Sequence, residues 1–166
     1  APWAAAVLDA DALNALASGA LHTPLPEHTI LTPHPGEAAR LLHTTVGEVQ
    51  ADREAAVRRL ADEYRCVAVL KGTGTLITAP GEPVWRNTTG NAGLARGGSG
   101  DILAGLMAGV LAAGWRQGRS AVEAAVTAVW LHGAAADRCA KRRSMTAMLP
   151  QDIFEDLGVL LTELEG

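Results

Sequence analysis

The sequence predicts an α/β fold, and three observations carry that reading. Short apolar runs stand at 5–8, 29–31, 66–70 and 75–78. Longer stretches between several of them have helical periodicity. A glycine-rich segment, NTTGNAGLARGGSGD at 87–101, leads directly into an apolar helix. Strands alternating with helices are the pattern of an α/β sheet covered by helices. At 166 residues the chain fits one domain, large enough to bury roughly two-thirds of its unfolded surface. Four or five strands are expected. A complete doubly wound enzyme carries more, so residues 1–166 are read as a partial domain with one sheet edge absent.

The elements follow in order. AAVL at 5–8 ends at Asp9, as a buried strand ending at a functional edge does. Asp11 is placed to cap a short helix through Leu16, which Ser18-Gly19 closes. Thr29–Leu31 is a brief strand before the rigid Thr32-Pro33-His34-Pro35-Gly36, and a helix runs from about Glu37 to Leu42. Val49–Arg65 reads as one amphipathic helix with Val49, Ala56, Val57, Leu60 and Ala61 on a single side. Cys66–Leu70 is β-branched and apolar, hence a central strand, and it ends at Lys71-Gly72. Thr75–Thr78 and Val84-Trp85 form a hairpin turned by Pro80-Gly81. Further helices are expected at about 100–113, 121–138 and 150–161, with Pro150 in a first helical position.

Composition narrows the function classes. Apolar residues make up 48%, with a single Phe and a single Tyr, so helix packing through small residues is expected. The formal charge is −4. Lys141-Arg142-Arg143 is too short to make a basic face, which disfavours nucleic acid as partner. No apolar stretch reaches the ~20 residues that cross a bilayer. The opening APWAAAVLDADALN lacks the order of a secretory leader and reads as the middle of a longer sequence. Cys66 and Cys139 read as reduced cytoplasmic thiols. His22, His28 and His43 have no partners at zinc spacing. A G-x-S-x-G elbow is absent, and Ser99 has no histidine base evident in the sequence. Walker A and dinucleotide fingerprints are missing too.

The glycine-rich segment carries the chemistry. Gly90, Gly93, Gly97, Gly98 and Gly100 precede Asp101 at the mouth of a helix. Successive amides there can converge on phosphate oxygens, and the helix dipole favours the anion. Gly98, Ser99 and Gly100 are candidate donors. Asp101 is open to three roles: capping the helix, holding a metal, or accepting a proton from a hydroxyl being phosphorylated.

Other residues keep two readings each. His34, held between prolines, contacts a ligand or bonds within its turn. Glu37 contacts a hydrated cation or faces the helix dipole. Lys71 at a strand end neutralises phosphate or pairs with an acidic neighbour such as Asp9. Asp9 and Asp11 are substrate or metal candidates, with capping the stronger reading for Asp11. His132 reads as a packed histidine bonded to backbone or water. Trp85, Trp115 and Trp130 read as packing residues.

Four stretches then appear in a specific order: VLDADALN at 7–14, LTPHPGEAARLL at 31–42, VLKGTGTLI at 69–77 and NTTGNAGLARGGSGDILAGLMAGVLAAG at 87–114. On these the sequence resembles the ADP-dependent NAD(P)H-hydrate dehydratases, carbohydrate-kinase-like repair domains of the ribokinase superfamily. The resemblance implies a ribokinase-like three-layer α/β/α sandwich whose amino-terminal part is missing from this chain. It also implies a cytoplasmic enzyme that restores NADH or NADPH from the S epimer of its hydrate, with magnesium and with ADP as phosphoryl donor, releasing AMP and phosphate.

The family pattern further implies that Asp101 contacts the hydrate and acts as the base, while Gly98, Ser99 and Gly100 form an anion hole. Lys71, Gly72, Thr73, Gly74 and Thr75 would border AMP, His34 would touch the hydrated dinucleotide, and Asn87 and Asn91 would orient phosphate or substrate. No protein metal ligand is assigned. Arg96 departs from the family, which generally has a small polar residue there, and an arginine at that place reaches phosphate or points to water.

Two other readings remain. A small-molecule kinase of the same superfamily would share the GxGD core but not HPGE or the NTTGNxG lead-in. A catalytically silent fragment would use its open sheet edge to associate with another copy or with the missing segment.

Overall fold

Five strands lie side by side in chain order. The computed structural model describes residues 5–22, 24–115 and 117–166; the first four residues of the opening segment lie outside them. Strands β1 (Ala5–Leu8), β2 (His28–Leu31) and β3 (Val67–Leu70) are parallel, with Val7 opposite Ile30 and Leu31 opposite Ala68. The hairpin β4 (Leu76–Thr78) and β5 (Trp85–Arg86) continues the sheet antiparallel from β3, which makes β3 the central strand.

Strand side chains alternate between two apolar layers. Leu31, Ala68, Leu70 and Leu76 pack against helices α1 (Asp11–Ala17), α2 (Pro35–Leu41), α3 (Val46–Ala51) and α4 (Arg53–Tyr64). Ile30, Val67, Val69 and Ile77 pack on the other side against α5 (Ser99–Trp115) and α6 (Ala121–Arg143). The α/β/α layering expected from the sequence is therefore realised. A 3₁₀ turn at Pro150–Asp152 leads into α7 (Ile153–Glu165), whose Ile153, Leu157 and Leu160 join Leu131, Ala135 and Met148 in a further core.

Several boundaries differ from expectation for local reasons. Val49–Arg65 is not one helix. Thr45 and Glu48 form a reciprocal capping box that starts α3, and Asp52 then breaks the chain and caps α4 by accepting from the Ala55 amide at 2.9 Å. Asp11 is not a cap: it lies in the first turn of α1, where its charge faces the dipole. Helix α2 begins at Pro35, because His34 caps it. Helix α6 runs on to Arg143, and its basic end docks α7 through Arg142–Asp156 at 2.7 Å and Arg142–Glu155 at 3.1 Å. Among the described residues no helix is long and apolar enough to cross a membrane.

This architecture brings the carboxyl ends of β1 and β3 and the amino terminus of α5 to one edge. The approach of α6 to the glycine-rich loop depends on Gly133. A Cβ there would lie 2.3 Å from the Thr89 hydroxyl and 2.7 Å from the Thr89 carbonyl carbon, so the helix backbone rests directly on the loop.

Candidate active site

At the strand ends, Lys71 Nζ lies 2.6 Å from Asp9 Oδ1 and 3.9 Å from Glu37 Oε2. The Thr32 hydroxyl donates to Asp9 Oδ1 at 2.9 Å, and the Lys71 amide donates to the Pro33 carbonyl at 2.9 Å. The three charged side chains are only 18%, 14% and 8% exposed for Lys71, Asp9 and Glu37. Charges so shielded persist because removing one partner strands the others. Lys71 nonetheless remains at the glycine-rich loop: a Cβ at Gly100 would be 3.5 Å from both Lys71 Nζ and Asp9 Oδ2. Pairing with Asp9 and proximity to a bound anion are thus compatible for Lys71.

His34 is fixed by the turn that holds it. Its Nδ1 accepts from the amides of Gly36 at 3.0 Å and Glu37 at 3.3 Å, while its own amide donates to Glu37 Oε2 at 2.8 Å. Nδ1 is therefore an acceptor, and the proton of the neutral ring resides on Nε2, which lies 3.6 Å from Glu37 Oε1. The residue after Pro35 has to be small, because a Cβ at Gly36 would be 2.8 Å from the His34 ring. Glu37 realises its helix-turn reading.

Across the cleft, the amides of Gly98, Gly100 and Asp101 make no hydrogen bond to another described residue, and the Ser99 amide makes a long 3.3 Å turn bond to the Arg96 carbonyl. The Asp101 amide is a donor that the sequence reading missed; its place in the first helical turn was the available signal. The Asp101 side chain is exposed and forms no ion pair with a described residue.

Asn87 and Asn91 build the loop. Asn87 Nδ2 donates to the Thr89 carbonyl at 2.9 Å, and the Thr89 hydroxyl donates to Asn87 Oδ1 at 3.1 Å. Asn91 Nδ2 donates to Asp137 Oδ1 at 2.9 Å, and Asp137 Oδ2 accepts from the Gly90 amide at 2.8 Å. Asp137, on α6, is a loop-holding residue that no sequence spacing marked. The Arg96 guanidinium donates to the Thr146 carbonyl, so it is anchored toward the segment before α7.

The two sides enclose a cleft of about 930 Å³ that contains every residue assigned from the sequence: His34, Lys71 through Thr75, Asn87, Asn91 and Gly98 through Asp101. His132 and Gly133 line it as well. Burial pushes the His132 pKa down to about 4, with the Ser99 backbone pulling the other way. His132 is packed as expected, but its Nε2 makes no hydrogen bond. An adjoining pocket of about 270 Å³ shares Asn87 and Thr88 with the cleft and is framed by Trp85 and Trp130. Both tryptophans are substantially exposed, unlike the packing residues expected from the sequence.

A covered, largely parallel sheet with an anion-ready helix terminus at its strand ends defines a ribokinase-like α/β protein. Within that class, the chain belongs to the NAD(P)H-hydrate dehydratase family, whose sequence profile (Carb_kinase) matches residues 1–158. It is 52% identical over 134 residues to the ADP-dependent (S)-NAD(P)H-hydrate dehydratase of Neisseria meningitidis serogroup B, covering 79% of this chain and 44% of that protein. It is 44% identical over 165 residues to the bifunctional NAD(P)H-hydrate repair enzyme Nnr of Moorella thermoacetica, covering 96% of this chain and 30% of that protein. The crystal structure of the ADP/ATP-dependent NAD(P)H-hydrate dehydratase from Bacillus subtilis, co-crystallized with ATP/Mg2+, superposes with a TM-score of 0.83 at 35% identity, over 95% of this chain and 54% of that one. The chain thus spans less than half the length of these two curated relatives and about half of the crystallised one.

Proposed function

We propose that this chain supplies the phosphate-handling machinery of an enzyme that converts (6S)-hydrated NADH or NADPH to NADH or NADPH, using ADP and releasing AMP and phosphate. The observation that carries the proposal is the meeting of unengaged amides at Gly98, Gly100 and Asp101 with the Lys71 ammonium beside Gly100. Amides at a helix amino terminus stabilise the phosphoryl oxygens, and a nearby fixed cation offsets developing charge.

In this reading the Gly72–Thr75 loop borders the nucleotide and His34 presents its Nε2–H to the hydrate. Asp101 takes the proton of the C6 hydroxyl as that oxygen bonds to phosphorus and the bond to AMP breaks. The ring nitrogen lone pair then expels phosphate from C6. The neighbouring ring carbon, C5, then gives up a proton to water, and the freed electron pair forms the C5–C6 double bond and returns the nitrogen lone pair. Hydroxide is a poor leaving group and phosphate a good one, which is why a kinase-like fold suits a dehydration.

Asp9 and Glu37 are committed to Lys71, and no group of three or more potential metal-ligating side chains occurs among the described residues. The described protein groups do not form a cage for magnesium. A magnesium ion would enter on the nucleotide phosphates.

The test is recovery of NADH absorbance from hydrated NADH with ADP, with ATP, or with neither. Recovery that requires a nucleotide supports the dehydratase reading. A stable phosphate ester accumulating without NADH would replace it with a small-molecule kinase. If the 166-residue chain binds ADP but does not turn over, the same assay on a full-length relative truncated to these residues tests whether the catalytic step needs more of the domain.

A further inference from the structure

Two buried polar atoms beneath the α5 amino terminus make no hydrogen bond: Oγ of Ser99 and Nε2 of His132. Both residues are only 6% exposed, and both line the cleft. Arg53 Nε is also unpartnered, but the rest of that guanidinium bonds the Leu70 carbonyl and Gln50. The one interaction between Ser99 and His132 runs through the Ser99 backbone, and it leaves the serine hydroxyl and Nε2 themselves unpaired. A buried donor or acceptor left alone is costly, and a matched pair of them at a ligand site calls for an explanation.

Ser99 begins α5, and its amide is held only by the 3.3 Å turn bond to the Arg96 carbonyl. A phosphate seated on this helix end competes for that amide. His132 cannot retreat, because the neighbouring Gly133 backbone is pressed against Thr89 and Gly90. Its burial keeps the imidazole neutral near neutral pH, which leaves one ring nitrogen as an acceptor, and a serine hydroxyl rotates freely to donate.

The geometry points to His132 as a positioning residue of the anion hole. On nucleotide binding, Ser99 Oγ–H donates to His132 Nε2, and this bond locks the first residue of α5 in the orientation that presents its amide to phosphate. The inference rests on the proposed phosphate-binding role of α5. His132 touches neither the hydrate nor the reacting oxygens, and no proton is transferred.

The experiment measures ADP affinity by calorimetry for the 166-residue chain, for Ser99→Ala, His132→Ala and His132→Gln, and for the double variant Ser99→Ala/His132→Ala. It also follows the ¹⁵N resonance of His132 Nε2 as ADP is added. Each alanine variant is expected to weaken ADP binding by about three- to tenfold, the range of one neutral hydrogen bond. The double variant should be no weaker than either single one. His132→Gln, which retains an acceptor, should recover part of the loss. In the wild type the Nε2 resonance should shift on ADP addition, and in Ser99→Ala it should not.

Melting temperatures that fall while ADP affinity and the Nε2 resonance stay unmoved would make His132 a core residue only and overturn the inference, as would strictly additive losses. The resonance and the His132→Gln variant decide the matter even if His132→Ala does not fold. A wild-type chain that binds ADP with an unmoved Nε2 overturns this inference alone; one that binds no ADP removes the phosphate-site reading as well.

Discussion

On the strand-end side of the cleft, Lys71 is held within 3.9 Å of both Asp9 and Glu37 and all three are largely shielded from water; on the glycine-rich side, the amides of Gly98, Gly100 and Asp101 have no partner among the described residues. The first side is complete before any ligand arrives and supplies a fixed field. The second is completed only by a ligand. Preorganised charge costs nothing to rearrange during a reaction, whereas open donors are where an anion gains its affinity. The difference separates residues whose loss should damage the fold from those whose loss should damage only the chemistry.

Asp101→Asn should produce the largest effect and fall wholly on the chemistry. Turnover is expected to drop by at least about a hundredfold, the scale of removing a positioned base, while ADP affinity by calorimetry stays within about threefold. An unchanged rate would end the assignment of Asp101 as base. Lys71→Met should register in the fold as well as in the chemistry: it removes the cation beside Gly100 and leaves Asp9 and Glu37 without their counter-charge. A fully buried broken pair costs 3–5 kcal/mol; this one is partly exposed, so urea unfolding should show a loss of about 2 kcal/mol. Stability equal to wild type would mean that the cluster contributes no folding energy.

The floor beneath the open side makes a pH prediction. The folded pKa of His132 lies near 4, below the unfolded value of 6.5. Between these values the unfolded chain takes up a proton that the folded chain refuses. Stability from this group is therefore full above pH 6.5 and declines toward pH 4, by at most about 1.4 kcal/mol per pH unit. Urea midpoints for His132→Gln should fall less steeply than wild type across that window; parallel curves would contradict the burial of a neutral ring. The smallest effect is expected for Gly36→Ala, whose Cβ would stand 2.8 Å from the His34 ring and dislodge the cap. A thermal melt should register about 1 kcal/mol, the usual contribution of an amino-terminal cap.

Features written in adjacent residues were legible in the sequence. The HPGE turn, the central strand ending at Lys71 and the GGSGD entry into α5 each depend on chemistry within a few positions, and all meet in one cleft. What depends on distant partners was not legible. Asn91 lines the cleft as the resemblance implies, and its partner Asp137 lies 46 residues away on α6, which nothing in the loop announces. Lys141-Arg142-Arg143 looked like a stray basic run, although Arg142 closes on Asp156 only once α7 folds back. The break at Asp52 sits inside an unbroken apolar period, so periodicity ran through it while the capping side chain ended one helix and began the next. Ser99 and His132 come from different helices, and their shared lack of partners exists only in three dimensions.

The coincidence of strand order with chain order bears on how the molecule assembles. Each new strand is laid beside its predecessor, so the sheet can grow from one side without threading a later segment between earlier ones. The antiparallel ladder of β3, β4 and β5 joins residues close in sequence and closes the shortest loops, whereas β1 and β2 meet only after a helical crossover. Loop-closure entropy favours the ladder as the early template. The KGTGT turn between β3 and β4 would then acquire its shape before the glycine-rich helix entry that it faces, so one wall of the cleft would be in place while the other was still being made.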